Sequence, residues 1–297
     1  MNQLYQRMGD PNGNFRYDFQ TDGFHSRVFE LACYAYLEEG GFTVDRSFPA
    51  PDFIAARNGL NVAFEAATAN PPSGRSTDIS LSAMQQLSDE EVFEKSTREF
   101  PKRMASILRR KLKRRYEKLP HCAGRPLVLM VAPLFEPGAV FYTDDGLVDC
   151  LYGTAGTAFR PAEASAFFRQ DEVGAISAVL YCNPFTVPRF FRLAGKLAPG
   201  LTAIRRGTCY LTDKAGEMRL ADFEYRVGDT QVPAEAWSQG ITLFLNPNAE
   251  IQLSADDLPC TSVFSEQDGC LSRRVRGFHP VVSFMLVHVP DGAADAP

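Results

Sequence analysis

Residues 51 to 67 read Pro51-Asp52-Phe53-Ile54-Ala55-Ala56-Arg57-Asn58-Gly59-Leu60-Asn61-Val62-Ala63-Phe64-Glu65-Ala66-Ala67, and the reading of the chain turns on them. Asn58-Gly59 is the dipeptide favoured at the two central positions of a type I′ turn, where both residues need a positive φ, and apolar runs flank it on both sides. If those two residues are the loop, Arg57 faces Leu60 and the register of the hairpin follows. Ala55 then faces Val62, and Phe53 faces Phe64, two apolar pairs on one face that support the alignment. Asp52 faces Glu65 on the other. Carboxylates so placed have Cβ atoms about 4.5 to 5.5 Å apart, and they repel unless a cation, a shared proton or extra donors compensate. Two arrangements fit: the pair is a site for a hard cation such as Mg²⁺, which takes oxygen ligands, or the acids sit at a bulged or solvated edge beside an arginine.

Outward from the hairpin, residues 24–39 carry Phe24, Val28, Leu31, Ala32 and Ala35 on one helical face, and Phe29, Cys33 and Tyr36 on another. Gly40-Gly41 ends that helix, which packs on two sides and keeps Arg27 and Glu30 in a narrow polar wedge. Residues 42–48 form a short strand. Residues 68–80, TANPPSGRSTDIS, read as a loop, and Arg75 within it could contact phosphate. A capping box at Ser88 and Glu91 opens a helical stretch to Phe100, Pro101 starts a basic helix, and residues 126–133 (PLVLMVAP) suit a buried central strand.

Charge is uneven. The 297 residues carry a formal −5. Residues 98–118 alone hold ten Lys or Arg against Glu99 and Glu117, a local +8, so the remainder is at −13. A concentrated basic stripe on an acidic chain marks a site for something anionic, and Arg103, Arg109, Arg110, Lys113 and Arg114 are its candidate phosphate contacts. At roughly 3.6 residues per turn, Lys111 and Arg115 fall inside the apolar arc of Met104, Ile107, Leu108 and Leu112. Either they turn toward a buried carboxylate pair, or they lay their methylene stems on apolar surface and reach for water.

The order of these elements resembles the PD-(D/E)xK, or restriction-endonuclease-like, nuclease superfamily over about residues 24–135. A helix carrying Glu30, a short strand, Pro51-Asp52 opening the next strand, a tight hairpin and Glu65 thirteen positions after Asp52 match that family's pattern. The resemblance implies a Mg²⁺ or Mn²⁺ ion held by Asp52 and Glu65, with Glu30 as a third ligand or as an orienter of metal-bound water. The family's strand lysine is missing: Ala67 stands two residues after Glu65. Families of this fold can move that lysine to a neighbouring helix, which makes Lys111 or Arg115 the candidate replacement.

Other chemistries find little support. The seven cysteines form no CxxC pair, the four histidines have no metal-ligand spacing, and no phosphate-binding glycine motif occurs. No segment reaches the ~18 apolar residues of a membrane span, and the first residues lack a signal peptide's apolar run. A cytoplasmic chain in contact with no membrane is the expectation.

The expected fold is α/β, a restriction-endonuclease-like mixed sheet flanked by helices with a β-rich C-terminal extension or second domain. The expected organisation is a loose lead-in at 1–23, the nuclease-like core at 24–155, an α+β region at 156–290 and a tail at 291–297. Strands are expected near 175–182, 208–212, 218–225, 241–245 and 281–289. The expected function is metal-dependent phosphodiester hydrolysis of nucleic acid, DNA ahead of RNA, with a homodimer or partner protein contacted through the C-terminal half. Two alternatives stand beside it: a nucleic-acid-binding module that has lost its chemistry, and a protein-interaction scaffold that uses the basic helix.

Overall fold

The computed structural model describes residues 1–71, 87–153, 166–195, 200–214, 216–232 and 234–288. Arg75, most of the expected 68–80 loop and the expected tail lie outside them.

The Asn58-Gly59 turn forms as its chemistry requires, with φ of 51° and 85°. It joins β2 (Phe53–Arg57) to β3 (Leu60–Ala69) in the expected register, Arg57 opposite Leu60, Ala55 opposite Val62 and Phe53 opposite Phe64. β1 (Thr43–Asp45) is shorter than residues 42–48 and pairs antiparallel with β2. β3 lies parallel to β4 (Leu127–Pro133), and β4 parallel to β5 (Ala178–Tyr181). Every residue of β4 and β5 is buried, which is why each reads as an unbroken apolar run.

The sheet does not stop at residue 155. β8 (Thr242–Leu245), β9 (Ser262–Gln267) and β10 (Cys270–Val275) extend it beyond β5 in the order β1-β2-β3-β4-β5-β8-β9-β10. A domain boundary near 155 would cut this eight-stranded sheet between two adjacent, fully buried strands. A separate three-stranded antiparallel sheet is built from β6 (Thr202–Thr212), β7 (Met218–Arg226) and β11 (Phe278–His288), with β6 in the middle. The chain is therefore mixed α/β, with helices against a large mixed sheet and a β-rich C-terminal half.

Helices cover both faces of the large sheet. α3 (Phe24–Glu39) packs Val28, Phe29, Leu31, Ala32 and Tyr36 against the face that carries Phe53, Val62, Phe64, Val128 and Met130. The first 23 residues form α1 (Asn2–Met8) and α2 (Phe15–Phe19) in place of a loose lead-in. Met8 and Phe15 are buried against the second apolar side of α3, and the Tyr5 and Phe15 rings stack at 5.0 Å. A helix apolar on two sides needs such a second cover.

On the opposite face, α4 (Asp89–Glu94) runs through one π turn at Lys95–Glu99 into α5 (Phe100–Leu112), which packs Met104, Ile107, Leu108 and Leu112 on Ile54, Ala63, Ala67 and Leu129. Pro101 stands in the first turn of α5, as expected, although the backbone runs into that turn from the π turn without a break. The π turn directly before it widens the backbone where the proline ring would meet the preceding turn and where its missing N–H leaves a carbonyl unpaired. α6 (Asp145–Tyr152) joins α5 on this face, while α7 (Val187–Ala194) follows β5. Among the described residues no helix is long and apolar enough to cross a membrane.

Candidate functional site

Asp52 stands one residue before β2, at the end of the hairpin ladder away from the turn. Its backbone N–H donates to Glu65 Oε2 at 3.2 Å, and its own Oδ2 accepts the N–H of Ala66 at 2.8 Å. These reciprocal bonds continue the hairpin register with side chains in place of carbonyls. They hold the two carboxylates side by side, with Glu65 turned toward α5.

Glu65 is buried and takes two further donors on Oε1. One is the ammonium of Lys111, from the last turn of α5; the other is the hydroxyl of Tyr116 at 2.7 Å. Tyr116 stays a phenol, because its burial and then the neighbouring Glu65 push its pKa far above the ordinary tyrosine value. Among the described residues, Oδ1 of Asp52 accepts no hydrogen bond. Burial, followed by the negative charges of Glu65 and Glu30, pushes the Asp52 carboxyl up to about 8, against the smaller opposing effects of the Ala66 N–H and Lys111. Lys111 balances the pair while Asp52 keeps its proton, and once Asp52 ionises the site has room electrostatically for more positive charge.

Glu30 is placed differently from the sequence expectation. It lies on α3, whose packing face is the other side of the sheet, and both of its oxygens are already engaged. Arg27 Nη1 bonds Oε2 at 2.6 Å, and the Arg46 guanidinium bonds Oε1. Its charge reaches Asp52, but its lone pairs face arginines. Arg46, from the segment after β1, carried no sequence signal linking it to Glu30.

Arg115 is not brought to the pair. α5 ends at Leu112, and Arg115 adopts the left-handed region with φ 54°, so the helical arc that placed it beside Lys111 stops before reaching it. Its guanidinium pairs with Glu117 at 2.5 Å and with Glu172 at 3.5 Å. The same break swings Tyr116 inward to Glu65. Periodicity missed Tyr116 because its approach depends on the helix ending, and no glycine or asparagine marks that end.

Along the basic stripe, Arg103 is tied to Glu99 by two bonds of 2.8 and 2.9 Å and stacks over the Phe135 ring. Arg109 is half-buried. Arg110, Lys113 and Arg114 are exposed and form no ion pair among the described residues, as do Lys102 and Lys118. Arg114 is close enough to Tyr116 for its charge to act on the phenol. The free part of the stripe thus begins beside the carboxylate pair.

Two residues that precede β4 complete the surroundings. His121 Nε2 bonds the carbonyl of Ala50 at 2.7 Å, and its ring lies flat on Phe48 at 3.9 Å, which fixes the approach to Pro51-Asp52. The Cys122 thiol is buried and pushed up by that burial, so it is no nucleophile.

Among the described residues, no group of three or more His, Cys, Asp or Glu side chains is arranged to hold a metal ion. What the site offers a cation is two carboxylates, one with an uncommitted oxygen. The chain matches no family model, no curated protein and no solved structure.

Proposed function

We propose that the protein is a divalent-metal-dependent phosphodiesterase acting on nucleic acid, of the PD-(D/E)xK kind, with its cation-bearing residue relocated to α5. The observation that carries this reading is the meeting of Asp52, Glu65 and Lys111: two carboxyl groups held side by side, and an ammonium delivered from a neighbouring helix to where the strand residue Ala67 offers none. Asp52 and Glu65 would hold Mg²⁺ or Mn²⁺. The raised carboxyl and the uncommitted Oδ1 are what a pair built for a further cation shows. A bound divalent ion supplies Lewis acidity toward water and toward a phosphate oxygen.

The chain's own groups divide the remaining work. Tyr116 and the Asp52 backbone N–H hold Glu65 in one orientation. Lys111 offsets charge as a water oxygen attacks phosphorus and the P–O bond to the leaving sugar oxygen breaks, that oxygen taking up a proton. Arg110, Lys113 and Arg114 attach the phosphate backbone without regard to sequence, in a salt-sensitive way. Glu30, held by two arginines, acts on the site through its charge and not as a ligand.

The test is cleavage of single- and double-stranded DNA and RNA by the purified protein with Mn²⁺. Wild type should cut at least one, and Glu65→Gln none. Absence of cutting by wild type across all four, together with salt-dependent binding, favours the second reading, a binding module without chemistry. The double occupation of Glu65 Oε1 by Lys111 and Tyr116 favours that reading, because it leaves the pair partly compensated from within.

A further inference from the structure

We propose that Lys111 is a built-in stand-in for the metal: its ammonium closes the carboxylate pair while no divalent cation is bound, and it is displaced from Glu65 when one enters. The inference rests on the reading of Asp52 and Glu65 as metal ligands. It adds that metal entry and the freeing of a phosphate-directed lysine are one event.

Lone pairs carry the first part of the argument. A carboxylate oxygen offers about two good acceptor directions. Glu65 Oε1 has both filled, by the Lys111 ammonium and the Tyr116 hydroxyl, and Oε2 faces the Asp52 N–H at 3.2 Å. A cation reaching Glu65 on the Oε1 side must replace one of the two donors. The phenol is neutral and tolerates a cation nearby. The ammonium is repelled by it, so Lys111 is the group that leaves.

Charge carries the second part. With Asp52 and Glu65 both ionised, Lys111 leaves the pair one positive charge short of balance, whereas a divalent ion alone neutralises it. Holding both the ion and Lys111 would overshoot in a site where Glu65 is only 6% exposed. Glu30 cannot absorb the surplus, since Arg27 and Arg46 already occupy it.

The third part is where the displaced group goes. Lys111 sits in the last turn of α5 with its side chain 20% exposed, so a change of rotamer reaches solvent without moving the helix. There it joins Arg110, Lys113 and Arg114, the exposed cations that have no ion pair among the described residues. Metal binding therefore adds one lysine to the phosphate-facing group, and by linkage a bound phosphate backbone favours the metal-loaded state.

Mn²⁺ titration calorimetry on wild type, Lys111→Met and Tyr116→Phe tests this. Lys111→Met keeps the stem and removes the competing charge, so it should bind Mn²⁺ on the order of tenfold more tightly than wild type. Tyr116→Phe, which removes a neutral donor from the same oxygen, should change affinity less. In chelator, Lys111→Met should melt below wild type, and saturating Mn²⁺ should close the gap, which loss of mere packing would not do. If the variant does not fold, the ε-ammonium NMR signal of Lys111 in the wild-type protein should lose its Glu65 environment on adding Mg²⁺ and keep it on adding K⁺. Wild type binding Mn²⁺ as tightly as or more tightly than Lys111→Met, or a Lys111 signal indifferent to Mg²⁺, overturns the stand-in role and leaves the metal reading intact. No Mn²⁺ binding by any of the three proteins overturns both.

Discussion

At the scale of single residues, Asp52 is the most informative group because its pKa and its hydrogen bonds point to the same shortage of positive charge. Its carboxyl is held up to about 8 in the folded chain against an ordinary 3.8, first by burial and then by Glu65 and Glu30. The folded state therefore keeps a proton that the unfolded state releases. Stability from this group is fully present below the ordinary carboxylate range and is lost as pH rises through about 8. Melting temperatures in chelator should fall between about pH 5 and about pH 9, and Asp52→Asn should flatten that slope. A divalent ion needs the carboxylate, so Mn²⁺ affinity should rise over the same window. Tyr116→Phe leaves Glu65 with one donor fewer and should cost about 1 kcal/mol in urea unfolding. An unchanged midpoint would mean that the 2.7 Å bond contributes nothing.

At the scale of elements, the basic helix divides into tied and free cations, a distinction that composition hides. Arg103 is committed to Glu99 and Phe135, so Arg103→Ala should leave the salt dependence of nucleic-acid binding nearly unchanged. Arg110→Ala, Lys113→Ala or Arg114→Ala should each weaken binding modestly and lower the salt slope by about one ion, as filter binding at several salt concentrations would show. Cleavage of bound substrate should barely respond to these outward changes. The hairpin offers a separate test of register. Gly59 has φ 85°, a conformation that costs a side chain, so Gly59→Ala should destabilise by about 1 kcal/mol through the turn alone.

At the scale of the whole molecule, the eight-stranded sheet ties the two halves of the chain together. β4 is flanked by β3 from the first half and β5 from the second, and β5 is followed by β8, β9 and β10. A fragment of residues 1–155 would expose the β4 edge and the apolar side chains that now pack against β5 and β8. Such a fragment should aggregate or melt without cooperativity, while the full chain melts cooperatively, as calorimetry would show. The C-terminal half thus completes the core that carries Asp52 and Glu65.

The amino-acid sequence by itself determined what local chemistry controls. Asn58-Gly59 set the turn, the turn set the register, and the register set Asp52 beside Glu65, because side-chain period and turn length leave no freedom once two loop residues are chosen. The buried central strands and the apolar arc of α5, with Lys111 on it, were legible for the same reason. Only the tertiary structure decided the rest. α5 ends at Leu112 and Arg115 turns left-handed, so Arg115 leaves for Glu117 and Tyr116 takes its place at Glu65, an outcome of packing that no propensity near residue 113 announces. Arg46 meets Glu30 across sixteen positions, and β9 and β10 join a sheet begun two hundred residues earlier. Such contacts are settled by the assembled core, where burial forces each charge to find whichever partner the fold brings near.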